Sequence, residues 1–269
     1  MNNNSIAIFA GKGKITEIAI KKSLKSFDKV LLFDLGIENK NISKYKNLII
    51  YKSHPGLLKK NLNILKKENI KNILFIGKLD KSKIFKEKKF DLTAIRLLLT
   101  LKDKSDFSIL QKLVDFFESH NINFISQKEF FKEFLMPQGN LTKLKFTKKE
   151  FEEAKLGFKI CKGVNEYGIG QSIIIENKMV IAVEAIEGTD EMIRRSKRYL
   201  NNNAIFIKVA KENHNPKFDL PGFGMRTLKL LFECNIKKVA LESDWVLLIE
   251  KEKIIKFANE KGMKIIGIK

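Results

Sequence analysis

Four short apolar runs, Ile6 to Phe9, Val30 to Phe33, Leu48 to Tyr51 and Ile73 to Ile76, recur through the first third of the chain with amphipathic stretches between them. Runs of four residues have the length of strands, whereas Ile15 to Lys25 and Gly56 to Glu68 carry apolar residues at helical spacing. Alternation of strands with helical stretches leaves few folds open. The strands pair in parallel, helices cover the sheet, and ligands tend to sit beyond the carboxyl ends of the strands. A Rossmann-like α/β domain is the expectation. Two further segments, Leu92 to Lys102 and Phe107 to Glu118, place leucines and phenylalanines at i, i+3 and i+4, and read as helices whose apolar faces lie in the core.

The pattern breaks at Met136-Pro137-Gln138-Gly139-Asn140, and a polar stretch rich in lysine and threonine follows. This reads as a linker. Beyond it the spacing predicts a helix over 149–162, a hairpin over 172–186 turning at Asn177-Lys178, a helix over 190–200, a strand over 204–210, a loop around Pro216 to Pro221 and a helix over 225–234. Short strands at 239–241, 246–249 and 263–268 complete a second α/β domain. At 269 residues, two domains are the ordinary outcome.

The net charge of +21 raises the question of nucleic acid. Its distribution argues against that partner. Residues 1–136 carry 27 lysines and arginines against 14 acidic residues, and the remainder 25 against 17, so the excess is spread along the chain. Only five of the 52 cations are arginine, the residue suited to bidentate recognition of bases and phosphates. A broadly positive surface is instead drawn to an anionic membrane face. No run of about 18 apolar residues is present to span a bilayer, and the start of the chain has no pattern of a signal peptide. Cys161 and Cys234 form no CxxC and read as free buried thiols.

Three constellations carry chemistry. In Ala10-Gly11-Lys12-Gly13-Lys14, after the first strand and ahead of a helix, glycines allow close backbone approach to a phosphate, and the helix N-terminus favours an anion. Thr16 stands where a dinucleotide fingerprint would need its third glycine, so a plain tight turn stays equally open. In Glu187-Gly188-Thr189-Asp190, Thr189 reads as an N-cap, and Asp190 and Glu191 suit the positive end of a helix. That leaves unexplained why three of the five arginines, Arg194, Arg195 and Arg198, follow at once. Arg194 and Arg198, four apart, read as one face able to grip a phosphate. The third is Lys208-Val209-Ala210-Lys211 followed by Phe218-Asp219-Leu220-Pro221, an acidic residue at a Leu-Pro break in a loop. His54, His120 and His214 form neither HExxH nor a Ser-His-Asp order.

Gly170-Gln171-Ser172, then Ala182-Val183-Glu184-Ala185-Ile186-Glu187-Gly188-Thr189-Asp190 with its paired Arg194-Arg195, then Phe218-Asp219-Leu220-Pro221, together resemble the UDP-2,3-diacylglucosamine pyrophosphatases of the LpxI type. The resemblance covers nearly the whole chain, strongest from Gly168 to Thr227 and looser before Met136. It implies two α/β domains, residues 1–136 for the uridine nucleotide and 151–269 for the lipid sugar phosphate, joined by a linker at 137–150 with the substrate between them. The implied reaction is hydrolysis of UDP-2,3-diacylglucosamine to UMP and 2,3-diacylglucosamine 1-phosphate (lipid X) in lipid A biosynthesis, with water attacking the sugar-side phosphorus. Asp219 becomes the catalytic residue. Gly11, Gly13, Gly77 and Lys78 fall in the nucleotide domain, and Gln171, Thr189, Asp190, Arg194, Lys208 and Lys211 at the substrate. The resemblance also implies Mg2+ as cofactor, and Asp219 and Glu187 are the expected ligands, from a pool of nearby carboxylates that includes Glu184 and Asp190. It implies a cytoplasmic protein, peripheral at the inner face of the inner membrane, with a homodimer left open.

Some positions depart from the pattern. Ser105-Asp106-Phe107 stands where relatives usually show Gly-Asp-Asp, Gly222 replaces a threonine after Asp-Leu-Pro, and Glu242-Ser243-Asp244 replaces Glu-Ala-Gly. A non-enzymatic nucleotide- or nucleic-acid-binding protein using the glycine-rich turn and the basic surface is the competing expectation.

Overall fold

The structure, a computed structural model, describes the chain except residues 1–3, 38–41, 43–44, 46, 80–83, 85, 88, 102, 104, 212–214 and 219, and except the side chain of Asp106. It divides into two compact units, Met1–Phe130 and Phe131–Lys269.

The first unit holds a five-stranded, all-parallel sheet of β1 (Ser5–Ala10), β2 (Lys29–Asp34), β3 (Leu48–Lys52), β4 (Asn72–Ile76) and the short β5 (Asn123–Phe124), in the order β3-β2-β1-β4-β5. The four apolar runs are β1 to β4, and this is the strand order of doubly wound nucleotide-binding sheets. Every residue of β1 is buried, as expected for a central parallel strand covered on both faces. Phe9 stacks on Phe33 at 4.3 Å between centroids, and Phe75, Phe117 and Phe124 close a ring cluster beside them. Helix α1 (Lys14–Ser26) buries Thr16, Ala19, Ile20 and Ser23, and α2 (Leu58–Lys67) buries Leu58, Asn61, Leu62 and Leu65, in both cases one helical face.

The next two helices differ from each other. In α4 (Asp106–Glu118), Val114 and Phe117 enter the core. In α3 (Leu92–Leu99), Ala94 alone is buried, while Leu92, Ile95 and Leu99 are 72%, 42% and 79% exposed. The expectation of a core face on α3 is therefore corrected. The helix is apolar nearly all round, and periodicity cannot say which side packs. The unit ends with α5 (Gln127–Phe130), whose Gln127 donates to Phe75 O at 2.7 Å.

The second unit is built on a six-stranded sheet of β6 (Gly139–Asn140), β7 (Ser172–Glu176), β8 (Met179–Val183), β9 (Ile205–Lys208), β11 (Lys238–Glu242) and β13 (Lys264–Ile268), in the order β6-β13-β11-β9-β7-β8. Strands β13, β11 and β9 are parallel, and β6, β7 and β8 run antiparallel to their neighbours. The hairpin turns where expected, with Asn177 and Lys178 both at positive φ. Strands β10 (Gly222–Gly224) and β12 (Leu247–Ile249) pair separately. Alternation along the strands sorts the core. Ile173, Ile175, Ile205 and Ile207 face α6 (Lys148–Glu166), while Ile174, Phe206, Val239 and Leu241 share the cluster of α7 (Thr189–Ser196), α8 (Met225–Glu233) and α9 (Lys251–Glu260).

Residues 137–150, expected as a linker, belong to the second unit. Gly139 and Asn140 pair with β13, the Thr142 hydroxyl accepts from Ile265 N at 3.0 Å, and Thr147 caps α6 in a capping box with Glu150. Polar composition suggested a linker because those side chains satisfy backbone donors. Among the described residues no helix is long and apolar enough to cross a membrane.

Candidate active site

Strand β7 runs against β9, so its first residue pairs with the last residue of β9, Ser172 opposite Lys208. Lys208 is buried, and its Nζ donates to Ser172 Oγ at 3.0 Å and to Thr189 Oγ1 at 3.2 Å, with Glu184 Oε2 at 3.7 Å. The Thr189 hydroxyl in turn donates to Glu184 Oε1 at 2.8 Å, and Gln171 N donates to the same carboxylate at 3.4 Å. Burial pushes the Lys208 ammonium below the usual lysine range, opposed by Glu184 and Asp190. The ion is thus held at a cost that its hydrogen bonds only partly offset.

The turn before β7 is pressed onto Glu184. Gly170 has φ +40°, and a Cβ there would meet Glu184 O at 2.0 Å, so no other residue fits. Asn165 Nδ2 fastens the turn by donating to Gly170 O at 2.6 Å. Glu242, also buried, accepts from Ala210 N at 2.6 Å and pairs with Lys162 Nζ at 2.7 Å. These bonds anchor the segment leaving β9 for Phe218-Asp219-Leu220-Pro221. Asp219 itself lies outside the described residues.

Two sequence expectations at the next turn are corrected. The N-cap of α7 is Gly188 and not Thr189, whose hydroxyl is committed to Glu184 and Lys208. Helix α7 stops at Ser196 and gives way to a 3-10 turn at Lys197–Tyr199, so Arg194 and Arg198 do not share an α-helical face. Arg198 lies over the Tyr199 ring at 4.7 Å. Arg194 pairs with Glu191 at 3.2 Å and faces a groove of about 430 Å³ lined also by Met225, Arg226, Lys229, Leu230 and Glu233.

Among the acidic candidates, Glu187 is bound to Arg195 at 2.7 and 3.0 Å, and that guanidinium, with backbone donors, holds its carboxyl below the ordinary range. Asp190 pairs with Arg226 at 2.9 Å and accepts from Thr227 Oγ1 at 3.4 Å. No three metal-ligating side chains converge among the described residues. Glu184, Glu187 and Asp190 each already serve a cation, and they do not fit a preformed magnesium site. Gln171, Thr189 and Lys208 are brought together; Arg194 points elsewhere, and Lys211, half-buried, lies three residues past β9. Ser172, Lys162 and Glu242 were not singled out as site residues, because only the strand register shows what they touch. Cys161, packed under the sheet, is driven by burial to a pKa of about 12, and both cysteines are free and buried, as expected.

In the first unit, Gly11, Gly13, Gly77 and Lys78 also come together, at the carboxyl ends of β1 and β4. Gly11 N donates to Ile76 O, and Lys12 and Lys78 exchange both backbone bonds at 2.8–2.9 Å. A Cβ on Gly11 would meet Lys78 O at 2.5 Å, and one on Gly77 would meet Thr16 Oγ1 at 2.6 Å. Mutual packing of two turns therefore suffices to require both glycines. Gly13 differs, with φ +121° and open space beside it at the head of α1.

Residues 5–134 match the family model of the LpxI N-terminal domain, and residues 137–266 that of the LpxI C-terminal domain. The chain is also similar to UDP-2,3-diacylglucosamine pyrophosphatase LpxI of Caulobacter vibrioides, 24% identical over 185 residues. The alignment spans 66% of this chain and 66% of that protein, just under two thirds of its length.

Proposed function

The chain belongs to the LpxI family, whose two domain models match it in order along nearly its whole length, and from that premise we propose that it hydrolyses UDP-2,3-diacylglucosamine to UMP and 2,3-diacylglucosamine 1-phosphate, lipid X, in lipid A biosynthesis. One observation carries the reading to particular residues. It is the buried Lys208, held by Ser172, Thr189 and Glu184 where the Gly170-Gln171 turn, the Glu187 to Asp190 turn and the segment leading to Asp219 start or end. A cation fixed in a dry setting stabilises charge on phosphoryl oxygens far better than a solvated one.

In this proposal Lys208 supplies that charge. Asp219 orients the attacking water and takes its proton. The water oxygen bonds to the sugar-side phosphorus as the bond from that phosphorus to the bridging oxygen breaks, and UMP leaves with the bridging oxygen. Gln171, Thr189, Asp190 and Lys211 serve the lipid sugar phosphate, and the turns at Gly11-Gly13 and Gly77-Lys78 the uridine nucleotide; Arg194, turned to its own groove, is given no part. Because the described carboxylates do not form a magnesium site, no step is assigned to the ion; its requirement is carried by the resemblance, with Asp219 and the substrate's own phosphates as its ligands. The broad positive charge suits a peripheral place on an anionic membrane.

The test is turnover of UDP-2,3-diacylglucosamine in water enriched in oxygen-18. UMP and a sugar 1-phosphate should appear together, with the label on the sugar phosphate alone. Label on UMP would move the attack to the other phosphorus. Absence of products, with steeply salt-dependent RNA binding, would favour the non-enzymatic binder.

A further inference from the structure

We infer that α3, Leu92–Leu99, is the element by which this protein docks onto an anionic lipid bilayer. The inference rests on the membrane-surface part of the proposed function and gives it an address. Leu92, Ile95 and Leu99 fall within about 60° of one another around the helix at 100° per residue, and they are 72%, 42% and 79% exposed. Ala94, on the other side, is the buried residue of the helix. Three large apolar side chains in one exposed stripe are more than the scattered surface leucines of an ordinary protein.

Charge points to the occupant. Over residues 81–104 the sequence carries eight lysines and arginines against three acidic residues, and Lys86, Lys89 and Arg96, the cations of this stretch among the described residues, are exposed. Exposed Arg96 sits on the helix itself, next to the stripe. An apolar stripe flanked by cations is the pattern of helices that lie in the membrane interface, with apolar residues among the acyl chains and cations at the headgroups. A second copy fits less well, because a two-fold contact would set these cations against their own kind. A bilayer with anionic lipids offers an apolar layer and a negative face together. Two turns of helix are too short to cross it, so the contact is shallow and reversible.

The experiment is flotation with vesicles of phosphatidylcholine containing a quarter phosphatidylglycerol, against pure phosphatidylcholine, for the full chain and for the double variant Leu92→Ser/Leu99→Ser. The unsubstituted protein should float with the anionic vesicles and poorly with the neutral ones. The double variant should partition about a hundredfold less, since each leucine withdrawn from an apolar phase costs about tenfold or more. Its thermal melt and its turnover of detergent-dispersed substrate should be unchanged. A protein that floats but hydrolyses nothing would support the docking surface while removing the proposed reaction. The inference is overturned if the unsubstituted protein stays with the buffer, or if the double variant floats as well as it does. It is equally overturned if the substitution only splits a dimer in sedimentation, or abolishes turnover of dispersed substrate while flotation persists.

Discussion

Glu242 and Lys162 hold the same residue, Ala210, by its two consecutive peptide groups: the carboxylate accepts from its N–H at 2.6 Å, the ammonium donates to its C=O at 3.1 Å, and the two charges meet at 2.7 Å. Removing Lys162 leaves Glu242 buried and uncompensated, and removing Glu242 leaves Lys162 half-buried without its counter-ion. Lys162→Met or Glu242→Gln alone should each cost about 3 kcal/mol, and the pair together less than the sum. Urea denaturation of the four proteins measures this coupling. Additive losses would reduce the pair to an ordinary surface contact.

The charge assigned to Lys208 predicts an alkaline limit to activity. Burial lowers its pKa, and the ammonium is required in its charged form, so kcat/KM should be full below that lowered pKa and fall as pH rises through it, beneath the usual lysine value of about 10.4. Lys208→Met should lose about a hundredfold or more in kcat. A profile flat to pH 10 would separate the Lys208 charge from the chemistry.

Asp219→Ala should abolish chemistry and spare binding. A group acting on water or the reacting phosphate lowers kcat by about a hundredfold or more with little change in ground-state affinity. The variant should melt like the parent and retain intact UDP-2,3-diacylglucosamine, detected by mass spectrometry of the purified protein. Near-normal kcat in a folded variant would return Asp-Leu-Pro to the role of a turn.

Chelation should distinguish a resident ion from one that arrives with substrate. Since Glu184, Glu187 and Asp190 already serve Lys208, Arg195 and Arg226, titration calorimetry with magnesium and no substrate should find no tight site. EDTA should nevertheless stop turnover and added magnesium restore it. Tight binding without substrate would mean that the carboxylates rearrange to hold metal.

Acid stability should depend on Glu150, at the foot of α6. Burial pushes its carboxyl up, but bonds from Lys264 and Thr147 N and the charge of Lys238 outweigh that and bring it to about 2. A depressed carboxyl stabilises above its unfolded pKa of about 4.5 and loses that contribution as pH falls toward 2, here roughly 2–3 kcal/mol. Denaturation of Glu150→Gln should show a shallower loss between pH 5 and 2. Equal slopes for both proteins would assign acid lability to other groups.

Four of the five strands of the first unit were legible because four-residue apolar runs between turns have the length of strands, whereas the two-residue β5 leaves no such run, and Asn177-Lys178 announced its hairpin. Helix α9 was not: Ile254 and Ala258 are its buried anchors, too few in a charged decapeptide to stand out between two strands. The two-unit division was legible, with the break at Met136-Pro137 falling between the two matched domains, but the role of 137–150 was not, because Asn140, Thr142 and Thr147 looked like solvated linker residues and are hydrogen-bonded parts of the second unit. At the site, Lys208 and Thr189 were visible as types and misread in part as partners. A threonine before two acids suggests a cap, and only the antiparallel register of β7 turns it toward Lys208.

That register has a consequence for how such a protein can diverge. Since β7 enters the sheet where β9 leaves it, three connections of unequal length, before Ser172, after Val183 and after Lys208, border one ammonium. Each joins elements whose pairing is fixed elsewhere, so outside the committed positions Gly170, Glu184 and Ala210 each can lengthen, shorten or change its side chains without shifting a strand. Descendants of this fold can thus retune the surroundings of that ammonium one connection at a time, with the charge at the centre inherited intact.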